Sequence, residues 1–373
     1  MKQHYDAIIV GGGVMGSSIA YQLSKRNMQV LIIEKDGMAK KASSAAAGML
    51  GAQSELEGDH QLFPLAQQSR AMFPVVAEEL KSLSGIDIEL KQTGILKVAQ
   101  TEDELTHLKS VAALQRSMGQ EAEWLSAEKI RMKEPELSAA ALGGFYIPND
   151  GQVSAPLLSK AFAQSAAVLG TDMLEYTKVD SFIRKDNRII GVKTTAGTYY
   201  AEEIVVAGGA WSSHILQKAG ESLDVYPVKG ECFAVQHDQQ MISSSIFLTN
   251  GYIVPKSGGR LIIGATQKPG DFDQTVHLHG LSGLIANATN MIPALKEAKW
   301  ENAWAGIRPQ TGDDLPYIGR CPHVNGLSVA AGHFRNGILL SPITGILVAD
   351  LLEGKPVDDT FAIDRKLLEE VNS

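Results

Sequence analysis

Continuous apolar runs recur along this chain at widely spaced positions, separated by amphipathic stretches. Ala7-Ile8-Ile9-Val10 suits a strand buried on both faces of a parallel sheet. Gly11-Gly12-Gly13-Val14-Met15-Gly16 then opens a helical pattern with Ile19, Ala20 and Leu23 on one face, and Gln29-Val30-Leu31-Ile32-Ile33-Glu34 is a second strand ending in an acid. These pieces make a βαβ unit. Helical periodicity follows over residues 66–83, 102–118, 156–170 and 278–291, with a strand at Gly94-Ile95-Leu96-Lys97-Val98-Ala99. Strand patterns follow at Arg188-Ile189-Ile190-Gly191-Val192-Lys193 and Tyr199-Tyr200-Ala201. A buried run, Glu203-Ile204-Val205-Val206-Ala207, leads into Gly208 and Gly209. Between Tyr226 and Gly264 the pattern is β-rich, and Lys256-Ser257-Gly258-Gly259 makes a hairpin turn between Tyr252–Pro255 and Arg260–Ile263. The last buried strand, Leu327-Ser328-Val329-Ala330-Ala331, feeds the apolar segment 337–352.

Buried strands near residues 8, 205 and 328 imply one sheet assembled from distant parts of the chain, with the β-rich stretches forming a second domain. The fold class is therefore α/β: a Rossmann-type domain from discontinuous segments, plus an α+β domain with a mainly antiparallel sheet. Boundaries are expected at 1–84, 151–222 and 306–373 for the first domain, and at 85–150 and 223–305 for the second. A cleft between them is the natural place for a ligand.

At 373 residues, with 44% of them hydrophobic, the chain has material for two cores, in keeping with that division. Its 34 basic and 42 acidic side chains leave a formal charge of −8 with no basic block, which disfavours a nucleic-acid partner. The segment 337–352 carries Ser341, Pro342, Thr344 and Asp350 and is short for a bilayer, so a buried helix and no membrane association are expected. Cys232 and Cys321 are the only cysteines and form no CxxC, and the first apolar run ends in glycines instead of extending as a signal peptide would. A cytoplasmic setting is expected.

Gly11, Gly13 and Gly16 form a G-x-G-x-x-G between strand and helix, and Glu34 closes the next strand. Gly11 permits the tight turn, Gly13 lets backbone approach a pyrophosphate, and Gly16 lets helix and strand pack; helix N-terminal amides then face the anion. Glu34 would accept from ribose hydroxyls and repel a 2′-phosphate, so a ligand of the NADP type is excluded. The small residues from Ser43 to Met49 suit backbone close to a bulky cofactor. Gly332-His333-Phe334-Arg335-Asn336-Gly337 adds a second turn-to-helix junction, which could face the pyrimidine end of a flavin.

Six segments together resemble the D-amino-acid oxidase and sarcosine oxidase superfamily, and most closely the glycine oxidases of bacterial thiamine biosynthesis. They are residues 44–51, Pro227-Val228-Lys229-Gly230-Glu231-Cys232, Gly264-Ala265-Thr266, Trp304-Ala305-Gly306-Ile307-Arg308-Pro309, Pro316-Tyr317-Ile318-Gly319-Arg320 and the 332–337 junction. The resemblance runs over nearly the whole chain. It implies a glutathione-reductase-like FAD domain, a non-covalent FAD, a small amino-acid substrate, oxygen as the second substrate, and a homotetramer. The reaction implied is oxidation of glycine to an imine, which hydrolyses to glyoxylate and ammonia, with hydrogen peroxide formed from oxygen.

Carried over position by position, the resemblance assigns cofactor contacts to Val14, Met15, Glu34, Lys35, Ala42 and Ser43, beside the glycines. Ala47, Gly48 and Met49 would lie along the flavin, Val179 on the adenine side, and His333, Phe334, Arg335, Asn336, Gly337, Ile338 and Leu339 at the isoalloxazine end. Arg308 and Tyr252 match the positions that hold the substrate carboxylate, with Arg335 and Met49 nearby. Two positions depart from the family pattern: Asn250 stands where a histidine is usual and Gln267 where a methionine is, and both are expected at the cavity wall. Related enzymes attach flavin through a cysteine; Cys321 is read instead as buried and inert.

The chemistry agrees with this from below. A guanidinium grips a carboxylate with two parallel hydrogen bonds, which lysine cannot reproduce. Tyr252 would add a hydroxyl donor, aiming the substrate Cα–H at the flavin N5. The amine must be neutral as hydride leaves, so no strong protein base is required, and no Ser/His/Asp set is evident. His277 and His279 lack a third ligand nearby and read as a solvated turn. Two alternatives stay open: a dehydrogenase of the same fold that passes electrons to a carrier, and a flavin-binding protein without turnover.

Overall fold

The computed structural model describes residues 2–55 and 60–365. Its first sheet runs in the order Tyr317–Arg320, Leu327–Ala331, Gly197–Val206, His4–Val10, Val30–Ile33, Asp172–Leu174. All these neighbours pair in parallel except the edge strand Tyr317–Arg320, which is antiparallel. Alternation along the buried strands divides the core. Ala7, Ile9 and Ile32 face a layer of helices, while Ile8, Val10, Leu31 and Ile33 face the other layer with Val192, Tyr199 and Leu216.

Gly197–Val206 is one strand, where the sequence pattern suggested two. Its start pairs antiparallel with Arg188–Thr194 and its end pairs parallel with Leu327–Ala331, while from Tyr200 to Val206 its other side follows His4–Val10. The change from alternating to continuously apolar sequence marks where a half-exposed strand becomes buried on both faces.

The apolar segment is helix Gly337–Leu352, packed against helices Val14–Lys25 and Phe63–Ser84. Together with its lead-in from Phe334 it is long and apolar enough to cross a membrane, but its first turns are core. Pro342 has no N–H to give Ile338 O, and Ser341 Oγ donates to that carbonyl instead, at 2.8 Å. Ser18 Oγ reaches Ser341 O at 2.7 Å and Ser69 Oγ reaches Leu339 O at 2.6 Å, so both neighbouring helices bond to its backbone. Gly345 allows this approach, since a Cβ there would sit 2.8 Å from Ser18 O.

A second, nine-stranded sheet is built from residues 95–147 and 225–311. Its longest pairing joins Val225–Gln236 to Lys299–Thr311 antiparallel. That ladder continues unbroken past Gly306 to Thr311, so the boundary expected at 306 cuts through a strand, and Arg308 belongs to the second sheet. Of the expected last segment of the first domain, residues 366–373 lie outside the described residues.

Candidate functional site

The glycine triplet is read out by packing. Gly11 has φ +117°, and a Cβ on it would lie 2.8 Å from the Ala207 carbonyl carbon, so only glycine makes this turn at this depth. Gly16 is pressed against the Gly11 carbonyl, and a Cβ there would also lie 3.2 Å from Ile9 Cγ2; it faces the strand turn and not the open cavity. Gly13 is different: its nearest neighbour would be Ser43 Oγ at 3.2 Å, leaving bare backbone toward open space. It is the N-cap of helix Val14–Lys25 and offers no side-chain cap; Ser43 Oγ accepts from Val14 N at 2.9 Å in its place. First-turn amides of a helix have no partner within it and point outward at the positive end of its dipole.

This turn opens onto a cavity of about 570 Å3 walled by both sheets. Glu34 reaches it with its carboxylate fixed by Gly12 N at 2.7 Å and Asp36 N at 2.9 Å. Lys35 lies 4.3 Å from the centre of the Trp211 ring, and Val179 lines the same end. Further along, Ala42, Ala47, Gly48 and Met49 form one wall. Trp304 Nε1 donates to Ala45 O at 2.9 Å, and a Cβ on Gly306 would lie 2.7 Å from Ala45 Cβ, which explains the run of small residues there.

His333, Phe334, Arg335, Asn336, Gly337 and Ile338 close the far end. His333 is buried, its Nε2 3.0 Å from Thr344 Oγ1, and burial pushes its pKa down to about 3, so it is neutral. Asn336 Oδ1 is buried without a hydrogen-bond partner among the described residues. Leu339, by contrast, is packed in the core behind this wall and does not line the cavity.

Arg308 and Tyr252 enter the same end from the second sheet. Arg308 Nη1 is 3.4 Å from Thr266 O, and the Tyr252 hydroxyl is 3.4 Å from Cys232 Sγ. Burial raises the Tyr252 pKa well above that of a free phenol, with Arg308 and Arg335 partly offsetting it, so the hydroxyl keeps its proton to donate. Burial likewise raises the Cys232 thiol. Arg335 lines the cavity but is already gripped by Glu55, Nε to Oε2 at 2.7 Å and Nη2 to Oε1 at 3.1 Å, an attraction that raises its pKa. Asn250 and Gln267 are exposed and lie outside the cavity lining, because Asn250 precedes the strand Gly251–Pro255 and Gln267 follows Arg260–Gly264 into a loop.

The FAD-dependent oxidoreductase family abbreviated DAO matches residues 6–351. The chain belongs to that family. Among relatives of this flavoenzyme, the glycine oxidase of Geobacillus kaustophilus (strain HTA426) is 50% identical over 357 residues, covering 95% of this chain and 94% of the relative. The glycine oxidase of Bacillus subtilis (strain 168) is 39% identical over 370 residues, covering 98% and 99%. The crystal structure of glycine oxidase from Geobacillus kaustophilus superposes with a TM-score of 0.96 at 47% identity, covering 98% of this chain and 100% of that one. L-proline dehydrogenase from P. horikoshii shares the fold at a TM-score of 0.86 and 26% identity, covering 95% of each.

The flavoenzyme's own residues fit FAD. The bare backbone at Gly13, the fixed Glu34 carboxylate and Asn336, whose buried Oδ1 has no partner among the described residues, all border one cavity, and in kind they suit a phosphate, a ribose and a polar ring edge. Cys321 lies elsewhere, packed with Tyr317 and Val324 in the core, and burial pushes its thiol up to about 12. His277 bonds Glu231 through both its backbone N and its Nδ1, at 2.9 and 3.0 Å, and among the described residues no three His, Cys, Asp or Glu side chains are grouped to hold a metal.

Sequence reading missed several wall residues. Glu55 sits outside every motif and left no signal. Trp211 and Phe272, with ring centres 5.6 Å apart, join the two domains over the Lys35 end. The glycines after Val206 were the available clue to Trp211, since they repeat the strand-to-glycine junction seen at Gly11.

Proposed function

We propose that the enzyme is a glycine oxidase that converts glycine, oxygen and water to glyoxylate, ammonia and hydrogen peroxide. The observation that carries this reading is the convergence of Arg308 and Tyr252 at the end of the cavity walled by residues 333–338. When bound, FAD supplies a two-electron acceptor for the hydride from the substrate Cα. Arg308 binds the carboxylate through two charge-assisted bonds, and Tyr252, protonated, adds a third donor. Met49 lines the same cavity and limits its volume. Arg335, held by Glu55, contributes field more than a free donor fork. His333 is neutral and bonded to Thr344, which suits a mechanism in which the substrate amine loses its proton before reaction and no protein base is needed. The amides opening helix Gly337–Leu352 border the cavity, and their positive dipole end would favour negative charge on a flavin held there.

Because an imine can also form from a secondary amine, sarcosine, small D-amino acids and N-substituted glycines such as glyphosate fall within the same chemistry. Discrimination by one methyl in an apolar pocket is worth roughly 1 to 3 kcal/mol. A role in forming the thiazole of thiamine, a cytoplasmic location and a homotetramer complete the proposal on the strength of the resemblance.

The test is anaerobic mixing of the yellow protein with glycine while following flavin absorbance, then admission of air with a peroxide assay. Bleaching followed by reoxidation with one peroxide per flavin is the expected result. No bleaching with glycine, sarcosine or D-alanine would overturn the substrate assignment, and bleaching that persists in air would make the protein a dehydrogenase.

A further inference from the structure

The segments Pro227–Cys232 and Gly264–Thr266 place two glycines beneath the two polar side chains just described. Along the strand, Lys229 and Glu231 alternate with Val228, Gly230 and Cys232 and turn to the opposite face, where they bond Asp273 and His277 at 3.0 Å each. On the cavity face, a Cβ built on Gly230 would lie 2.5 Å from Nη2 and 2.6 Å from Cζ of Arg308. One built on Gly264 would lie 2.6 Å from the Tyr252 hydroxyl, 2.7 Å from its Cζ and 2.6 Å from Cys232 Sγ. Neither glycine has a positive φ, so a left-handed backbone is not what calls for glycine at either place, and the close approach of the side chains above is the observation that bears on both. Strand register brings the pieces together: Cys232 and Tyr252 both pair with Gly264, from opposite sides, and Gly230 faces Gly306 two residues from Arg308.

We propose that Gly230 and Gly264 are positioning residues for the substrate carboxylate. Each leaves a bare strip of backbone on which the Arg308 guanidinium or the Tyr252 ring lies, and Cys232 Sγ, 3.4 Å from the phenol oxygen, stops the ring. This rests on reading Arg308 and Tyr252 as the carboxylate grip. A methyl group needs carbon separations of about 3.5 Å or more, so Gly230→Ala would lift the guanidinium by on the order of 1 Å. Displacements of that size disrupt reactive alignment out of proportion to their length.

The experiment compares FAD-loaded wild type, Gly230→Ala, Arg308→Ala and the double variant. Acetate, a carboxylate without an amine, is titrated against the flavin spectrum, and melting temperatures are measured without ligand. Gly230→Ala is expected to weaken acetate and raise the KM for glycine about tenfold, with a smaller change in kcat. It should also lower the melting temperature in the wild-type background but not in Arg308→Ala, where truncation has opened the space. If Gly230→Ala alone does not fold, recovery of folded protein in the double variant supports the seat. Equal loss of stability in both backgrounds, failure to fold in both, or unchanged acetate binding by Gly230→Ala overturns it. Arg308→Ala binding acetate like wild type would instead overturn the carboxylate grip, whatever the stability cycle gives. The parallel set with Gly264→Ala and Tyr252→Ala tests the second seat in the same way.

Discussion

The two ends of the cavity are built in opposite ways. At the Glu34 end the glycine turn and the acid come from one uninterrupted βαβ unit, in which a strand, a glycine turn, a helix and a second strand are adjacent in the chain and the spacing of four residues sets the geometry, while Val179, Trp211 and Phe272 add only the outer wall. The Arg308 end draws its polar groups from strands Gly251–Pro255 and Lys299–Thr311 and from the turn before helix Gly337–Leu352, with Glu55 brought from far upstream. Local construction makes the first end robust to changes elsewhere. Remote construction makes the second tunable, since each side chain rides on a different element.

Substitutions can break this contrast, and the largest effect belongs to the assembled end. Arg308→Ala should lower kcat/KM for glycine by on the order of a thousandfold, equivalent to losing about 4 kcal/mol of charge-assisted bonding in a desolvated site. FAD content should stay normal, and colourless protein would show that the ends are not separable. Next comes Gly11→Ala, which places a side chain at φ +117° against Ala207. A loss of about 3 kcal/mol in stability, measured by denaturant unfolding, is expected together with lost flavin. Gly13→Ala sharpens the point: with only Ser43 Oγ near, at 3.2 Å, it should weaken FAD binding while barely moving the stability of the apoprotein.

Smaller effects follow. Tyr252→Phe removes one donor to the carboxylate, so KM should rise about tenfold, roughly 1.4 kcal/mol, with flavin spectrum and content unchanged. For His333 the folded pKa of about 3 lies below the ordinary 6.5, so the unfolded chain binds a proton that the folded chain refuses. Stability from this group is complete above pH 6.5 and is lost as pH falls toward 3, by about 1.4 kcal/mol per unit well inside that window. His333→Gln should lack this slope. Melting temperatures at pH 7.5 and 5 would test it: equal acid sensitivity in both proteins would assign the loss to other groups.

The same contrast governs what could be read from the amino acids alone. The glycine triplet and Glu34 were legible because hydrophobic period and glycine spacing are local properties, and the structure returns them as strand, turn, helix and strand. Arg308 and Tyr252 were found only through motif resemblance, since nothing local says that two strands more than forty residues apart, with two others between them in the sheet, bring their side chains to one cavity. Asn250 and Gln267 illustrate the limit of such transfer. Both lie just past strand ends, where alternation no longer dictates which way a side chain faces. Glu55 was invisible for a further reason: its partner, Arg335, is 280 positions away. The boundary expected at 306 falls inside the strand Lys299–Thr311, where the missing side chain of Gly306 serves the approach of Ala45.

The pairing of helix Val14–Lys25 with helix Gly337–Leu352, sealed where Gly345 meets Ser18, also sets a clock for synthesis. A ribosome adding about 5 to 20 residues per second has the glycine turn in hand tens of seconds before it delivers the helix that covers it. During that interval the apolar face of Ile19, Ala20 and Leu23 has no permanent neighbour in Gly337–Leu352. Until then helix Val14–Lys25 can pack only on Ala155–Val168, its other helical neighbour, and a frameshift shortly before residue 337 would leave the glycine turn without half of its cover.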